Sequence, residues 1–184
     1  MAENMPTRSF RIYAATGDAV ARIECRNGEA VVASLNLAGR GVICVAVDPH
    51  DPDRIFVGTF DLGMYRSLDG GDSWESVGLG MTNARVLSIA FSPCEQVAGR
   101  PVVYAGTEPS MLYRSTDDGE TWQPSPALLE LPSVPTWSFP PRPHTHHMRW
   151  ISPHPTDPQT IYVGIELGGV MTTRDGGATW EDRK

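Results

Sequence analysis

Three near-copies of one eight-residue phrase punctuate this 184-residue chain: Ser67-Leu68-Asp69-Gly70-Gly71-Asp72-Ser73-Trp74, Ser115-Thr116-Asp117-Asp118-Gly119-Glu120-Thr121-Trp122 and Thr173-Arg174-Asp175-Gly176-Gly177-Ala178-Thr179-Trp180. A repeat at a near-fixed period limits the architecture to a stack or ring of one structural unit. The central aspartates Asp69, Asp117 and Asp175 lie 48 and 58 residues apart, the length of one four-stranded β-sheet with its turns.

The phrase has the chemistry of a tight hairpin. Its Ser or Thr hydroxyl and Asp carboxylate accept from backbone N–H groups a few residues on, and Gly71, Gly119 and Gly177 supply the positive φ that other residues resist. Trp74, Trp122 and Trp180 then open the next strand with a large apolar anchor whose indole N–H needs a partner.

What precedes each phrase repeats as well. Val42 to Pro49, Val86 to Pro93 and His146 to Pro153 read as first strands closed by a proline that cannot donate to a ladder. Ile55 to Thr59, Val103 to Thr107 and Ile161 to Ile165 read as second strands, apolar enough that both faces should be covered. Sheets covered on both faces at this period stack around an axis as a β-propeller. The first 40 residues fit with a worn signature: Phe10 to Gly17, Ala19 to Glu24 and Glu29 to Leu35 read as second, third and fourth strands.

The spacing S/T-x-D-x-G-x-S/T-W resembles the Asp box, or BNR repeat, of sialidases, sortilin-type receptors and photosystem assembly factors. The resemblance covers roughly residues 9 to 182 and implies a fold more than a function, because the box in that family is a structural turn away from the ligand face. The expected fold is all-β, a propeller of four-stranded antiparallel blades. About four blades are present, and the ring is incomplete. The expected boundaries are a tail at 1–8 and blade-like units at 9–38, 41–79, 85–126 and 145–184, with a Pro-rich insertion at 123–147. Flat apolar faces on the first and last blades imply either self-association or further C-terminal blades to close the ring.

The insertion breaks the period. Its seven prolines, with Trp137 and Phe139 among them, predict a stiff, fixed lid. It feeds the first strand of the last unit at the propeller end where ligands bind in sialidase-like propellers, opposite the boxes. His144, His146, His147 and Arg149 are therefore candidates for a ligand site at the channel mouth. Alignment of second strands adds Glu108 and Glu166 at one repeat position, where the earlier unit has Phe60. Arg149 aligns with Val45 and Ile89, so a charge stands where the repeat packs hydrocarbon, and Glu166 is its nearest partner by topology. His146 is expected at the rim with them. In an extended strand residues two apart share a face, so His144 and His146 are the candidate pair for a divalent metal, with His147 turned away.

The formal charge of −7 and the lack of a basic cluster argue against nucleic acid or an anionic membrane as partner. No apolar run of membrane-spanning length occurs, and the three cysteines suit reduced thiols, which points to the cytoplasm. The function expected is a binding or scaffold module for a small molecule, glycan or protein. The alternative is a sialidase-like glycoside hydrolase whose site is completed by blades beyond Lys184. For that reading Phe10-Arg11-Ile12-Tyr13 matches three of four places of the sialidase Phe/Tyr-Arg-Ile-Pro motif, which implies a ligand role for Arg11; Arg85 and Arg149 would complete an arginine triad. Tyr104 and Tyr162, at repeat-equivalent core positions, offer no distinct nucleophile.

Overall fold

The computed structural model describes residues 9–142 and 144–183. The tail at 1–8, Pro143 and Lys184 lie outside them. The described residues build four antiparallel sheets. The first holds β1 (Ser9–Ala15), β2 (Val20–Arg26) and β3 (Glu29–Asn36). The second holds β4 (Val42–Val47), β5 (Ile55–Thr59), β6 (Met64–Ser67) and β7 (Glu75–Val77). The third holds β8 (Arg85–Val97), β9 (Arg100–Glu108), β10 (Leu112–Ser115) and β11 (Gln123–Pro124). The fourth holds β12 (Met148–Pro153), β13 (Ile161–Ile165), β14 (Gly169–Thr173) and β15 (Glu181–Arg183). Every sheet is a meander whose strands neighbour one another in chain order.

The sheets stack because their central strands are apolar on both faces. All five residues of β5 are buried: Val57 packs with Val20 and Val42 toward the first sheet, and Phe56 packs with Phe91, Val103 and Trp122 toward the third. The repeated glycine of the second strand sets the spacing to the next sheet at Gly58 and Gly106. A Cβ on Gly58 would stand 2.5 Å from the Val86 carbonyl oxygen, and one on Gly106 would stand 2.7 Å from Met148.

The repeated hairpins lock themselves and then latch to the preceding sheet. In the first, the Ser67 hydroxyl donates to Asp69 at 2.8 Å and accepts from the Gly71 N–H at 2.8 Å. Asp69 also accepts from the Ser73 N–H at 2.9 Å and the Ser73 hydroxyl at 2.6 Å. Ser115, Asp117 and Thr121 repeat this pattern, as do Thr173, Asp175 and Thr179. The indole N–H groups of Trp74 and Trp122 donate to the carbonyls of Gly71 and Gly119. The Tyr13 hydroxyl, from the first sheet, donates to the Gly70 carbonyl at 2.8 Å. Gly119, at φ +83°, brings its backbone so near Phe56 that a Cβ would lie 2.4 Å from the ring. Buried Arg66 donates to Glu120 at 2.7 Å and to the Asp118 carbonyl, binding the second sheet to the hairpin of the third.

Three expectations need correction. Strand β8 does not stop at Pro93: it passes through a register shift between Phe91 and Gln96 and continues to a hairpin in which Val97 pairs with Arg100. Arg149 does not occupy the place of Val45 and Ile89. Each first strand carries a one-residue bulge, between Val42 and Cys44, Val86 and Ser88, and Met148 and Trp150, so Arg149 is the extra residue, equivalent to Ile43 and Leu87. A bulge re-aims its side chain out of the ladder, which lets a charge stand there. The insertion, finally, is not a lid along its whole length. Its two 3-10 turns, Pro126–Glu130 and Val134–Thr136, carry Leu128, Leu131 and Trp137 into the core shared by the third and fourth sheets.

Among the described residues the four sheets do not close into a ring. The outer face of the first sheet exposes Phe10, Ile12, Val32 and Leu35, and that of the fourth exposes Trp150 and Val170.

Candidate functional site

Each first strand begins, and each second strand ends, at the end of the molecule opposite the repeated hairpins. Phe60, Arg85, Glu108, His147, Arg149 and Glu166 therefore share one rim. The Glu166 N–H donates to the His147 carbonyl at 2.9 Å, which extends the β12–β13 pairing past the end of β12 and sets side chains 147 and 166 beside each other.

The centre of the rim is a line of charge running from the third sheet into the fourth. Glu108, whose side chain is 3% exposed, receives Arg85 at 3.2 Å, Arg142 at 2.9 Å and the His147 Nε2 at 3.1 Å. His147 Nδ1 lies 2.9 Å from Glu166, which also faces Arg149 at 3.6 Å. Burying Glu108 alone would be prohibitive, so the two guanidiniums and the imidazole around it are a structural requirement. The aromatic rings fix the planes of these groups. Arg85 lies 4.6 Å above the Phe60 ring, Arg142 sits 5.4 Å from Phe139, and Phe139 stacks on His147 at 4.1 Å. Arg149, with its side chain 56% exposed, is the outward member of the line.

Of the residues singled out by sequence, Glu108, His147, Arg149 and Glu166 come together. His146 is next to this group but turned to other work: its Nδ1 accepts from the Ser110 N–H at 3.3 Å and its ring packs edge-on against Trp137. Burial, and secondarily the charge of His147, holds His146 below the ordinary histidine range. His144 is exposed. No group of three or more His, Cys, Asp and Glu side chains suited to a metal gathers among the described residues. Arg11 is at the opposite end of the molecule, beside the first repeated hairpin, bonded to Asp53 at 2.9 Å and facing Glu24 at 3.5 Å. It forms no triad with Arg85 and Arg149.

Sequence reading missed Arg142 and understated His147. Arg142 lies in a proline-rich run with no repeat to align it, and its role depends on the chain doubling back through the turn in which the Arg142 N–H donates to the Phe139 carbonyl at 2.7 Å. His147 does not turn away, because the alternation expected from His144 onward does not apply before the strand begins at Met148.

A tyrosine–glutamate pair does exist, Tyr104 to Glu95 at 2.9 Å. Tyr104 is buried, and burial followed by the Glu95 charge pushes its phenol above the ordinary value, the wrong direction for a nucleophile. Glu108 and Glu166 are separated by the imidazole of His147, which occupies the space a scissile bond would need. A cleft of about 820 Å³ lies away from the rim, lined by Phe10, Arg11, Tyr13, Glu24, Arg26 and Val47 among others. We rest the candidate site on the rim, where the charges converge, and not on the roomier cleft.

No protein-family model and no curated protein matches the chain. Solved structures do. YCF48 from Cyanidioschyzon merolae aligns with a TM-score of 0.59 at 13% identity, over 100% of this chain and 58% of that one. An ancestral GH74 enzyme aligns with a TM-score of 0.56 at 19% identity, over 76% of this chain and 18% of that one. The chain thus spans under two thirds of either protein. At such identities the likeness shows the fold, a β-propeller built of four-stranded antiparallel sheets.

Proposed function

We propose that this chain is a set of Asp-box propeller blades, in units 9–38, 41–79, 85–126 and 145–184, that acts as a binding module through the rim built by Glu108, His147, Arg149 and Glu166. The line from Glu108 through His147 to Glu166 and Arg149 carries this reading. Its inner half, Glu108 and His147, is buried and paired, while Glu166 and Arg149 reach solvent; a site needs a fixed support beneath exposed polar groups. The self-bonded repeated hairpins, each with its carboxylate fully used within the turn, support the Asp-box assignment and a structural role for the boxes. The free thiols of Cys25, Cys44 and Cys94, with burial pushing that of Cys44 up to about 12, support a reducing compartment such as the cytoplasm.

The test is a binding screen read by amide chemical shifts, using an acidic peptide, a basic peptide, a neutral oligosaccharide and an acidic monosaccharide. The expected result is that one class perturbs the amides of Arg149, Glu166 and their neighbours, and that Arg149→Ala removes the response while leaving the fold unchanged. Perturbation confined to the repeated hairpins, or binding indifferent to Arg149→Ala, would overturn the proposal.

A further inference from the structure

Both ring nitrogens of His147 face carboxylate oxygens, Nε2 that of Glu108 at 3.1 Å and Nδ1 that of Glu166 at 2.9 Å. An ionised carboxylate only accepts, and a neutral imidazole has one N–H and one lone pair. A ring carrying both protons therefore satisfies both contacts, whereas a ring that has lost one sets a lone pair against a carboxylate oxygen. One of the two contacts must then open.

The surroundings decide which. Glu108, at the end of β9, is buried between Arg85 of β8 at 3.2 Å and Arg142 of the preceding turn at 2.9 Å. It cannot leave for water without abandoning two guanidiniums. The Arg142 Nη2 also lies 3.5 Å from the His147 Nε2, a longer and weaker contact than the one it makes with Glu108. Glu166, which follows β13, has a side chain 35% exposed, and its other partner is Arg149 of β12, 56% exposed, at 3.6 Å. A pair as open as this holds a carboxylate only weakly. The ring itself is kept in place by Phe139 stacked at 4.1 Å, and the Glu166 N–H bond to the His147 carbonyl keeps the two backbones together. His146, the adjacent titratable group, is directed to Ser110 and Trp137 instead. The movement is thus confined to the Glu166 side chain.

We infer that His147 is a proton-operated latch on the rim. Doubly protonated, it holds the Glu166 carboxylate, and with it Arg149, against the third sheet. When the Nδ1 proton passes to solvent, the ring keeps its Nε2–H on Glu108 and releases Glu166. A ligand that engages Arg149 and Glu166 meets two different surfaces on the two sides of this transition, so the latch regulates the rim and rests on the reading of that rim as a binding surface. Every group in it belongs to the third and fourth sheets and the turn between them.

The test is nuclear magnetic resonance of the full chain with no ligand present, which keeps its outcome separate from that of the binding screen. Nitrogen-15 shifts of the His147 ring are followed from about pH 5 to pH 9, together with the Overhauser contact between the ring Hε1 and the Glu166 γ-protons. The expected result is loss of the Nδ1 proton with retention of Nε2–H, and loss of the Glu166 contact at the same midpoint, while the contact between the His147 and Phe139 rings persists. In Glu166→Gln the side-chain amide can donate to a bare Nδ1 as well as accept from a protonated one, so there the contact should survive across the range. A Glu166 contact that persists in the unaltered chain, loss of the Nε2 proton instead, or a ring with one protonation state throughout overturns the inference. Equal loss of the contact in Glu166→Gln also overturns it, since the release would then not be governed by charge.

Discussion

Glu108 and His147 meet at 3.1 Å across the boundary between the third and fourth sheets, with side chains 3% and 6% exposed. The pair ties the ends of two sheets together beneath the rim, and the guanidiniums of Arg85 and Arg142 neutralise Glu108. Replacing Glu108 with Ala leaves two guanidiniums and an imidazole facing one another around a vacated site. The expected cost is about 3 kcal/mol, the scale of removing one partner from a buried ionic cluster. Glu166→Gln, at a side chain 35% exposed, should cost less than about 1 kcal/mol. Urea denaturation of the two variants is the check; equal midpoints would show that Glu108 is not the centre of the cluster.

Asp117 accepts from the Thr121 N–H at 3.0 Å and from the Thr121 hydroxyl at 2.5 Å, and the Ser115 hydroxyl donates to it at 2.8 Å. Asp117→Ala should strip those acceptors from the turn and cost on the order of 1–3 kcal/mol. Rim binding should be unchanged, which a titration beside the denaturation curve will decide. Lost binding at undiminished stability would make the hairpin a site.

The hairpin carboxylates also predict a pH dependence. Hydrogen bonds from the Ser73 side chain and N–H hold Asp69 at about 2, and those from Thr179 hold Asp175 at about 2, both below the free value of 3.8. A carboxyl depressed in the folded state contributes stability that is fully present above its unfolded value and is lost as pH falls through its folded value. Stability should therefore be level down to roughly pH 4 and decline between pH 4 and pH 2. Asp69→Asn with Asp175→Asn should flatten that decline. Urea midpoints collected from pH 2 to pH 6 will show whether it does.

Trp137 separates a lid from a core element. It is buried in the same cluster as Leu128, Met148 and Ile165, its indole N–H donates to Ser133 at 3.2 Å, and the Ser133 hydroxyl donates to Asp182 at 2.6 Å. Trp137→Ala should cost about 3–5 kcal/mol, the range for truncating a large buried aromatic. A lid residue would cost little and change only ligand exchange. Thermal unfolding of the variant distinguishes the two.

The sequence by itself determined the repeat and nearly everything local to it. The three hairpins, the second strands at Ile55–Thr59 and Ile161–Ile165 and the three-stranded opening sheet follow from residue chemistry at short range: hydroxyl and carboxylate acceptors, glycines at positive φ, and unbroken apolar runs. It also brought Glu108 and Glu166 to one end, because a meander makes strand direction a matter of counting. Only the tertiary structure decided which side chains meet there. A one-residue bulge moved Arg149 out of the ladder and made it the exposed arm of the rim, and spacing counted along the sequence does not register a bulge. The proline-rich insertion has no repeat to align it, so its division into a buried wedge at Leu128, Leu131 and Trp137 and a rim segment at Arg142 and His147 was decided by the shape of the gap between two sheets. Contacts fixed by local backbone chemistry are legible in a sequence; contacts fixed by how separate sheets pack are not.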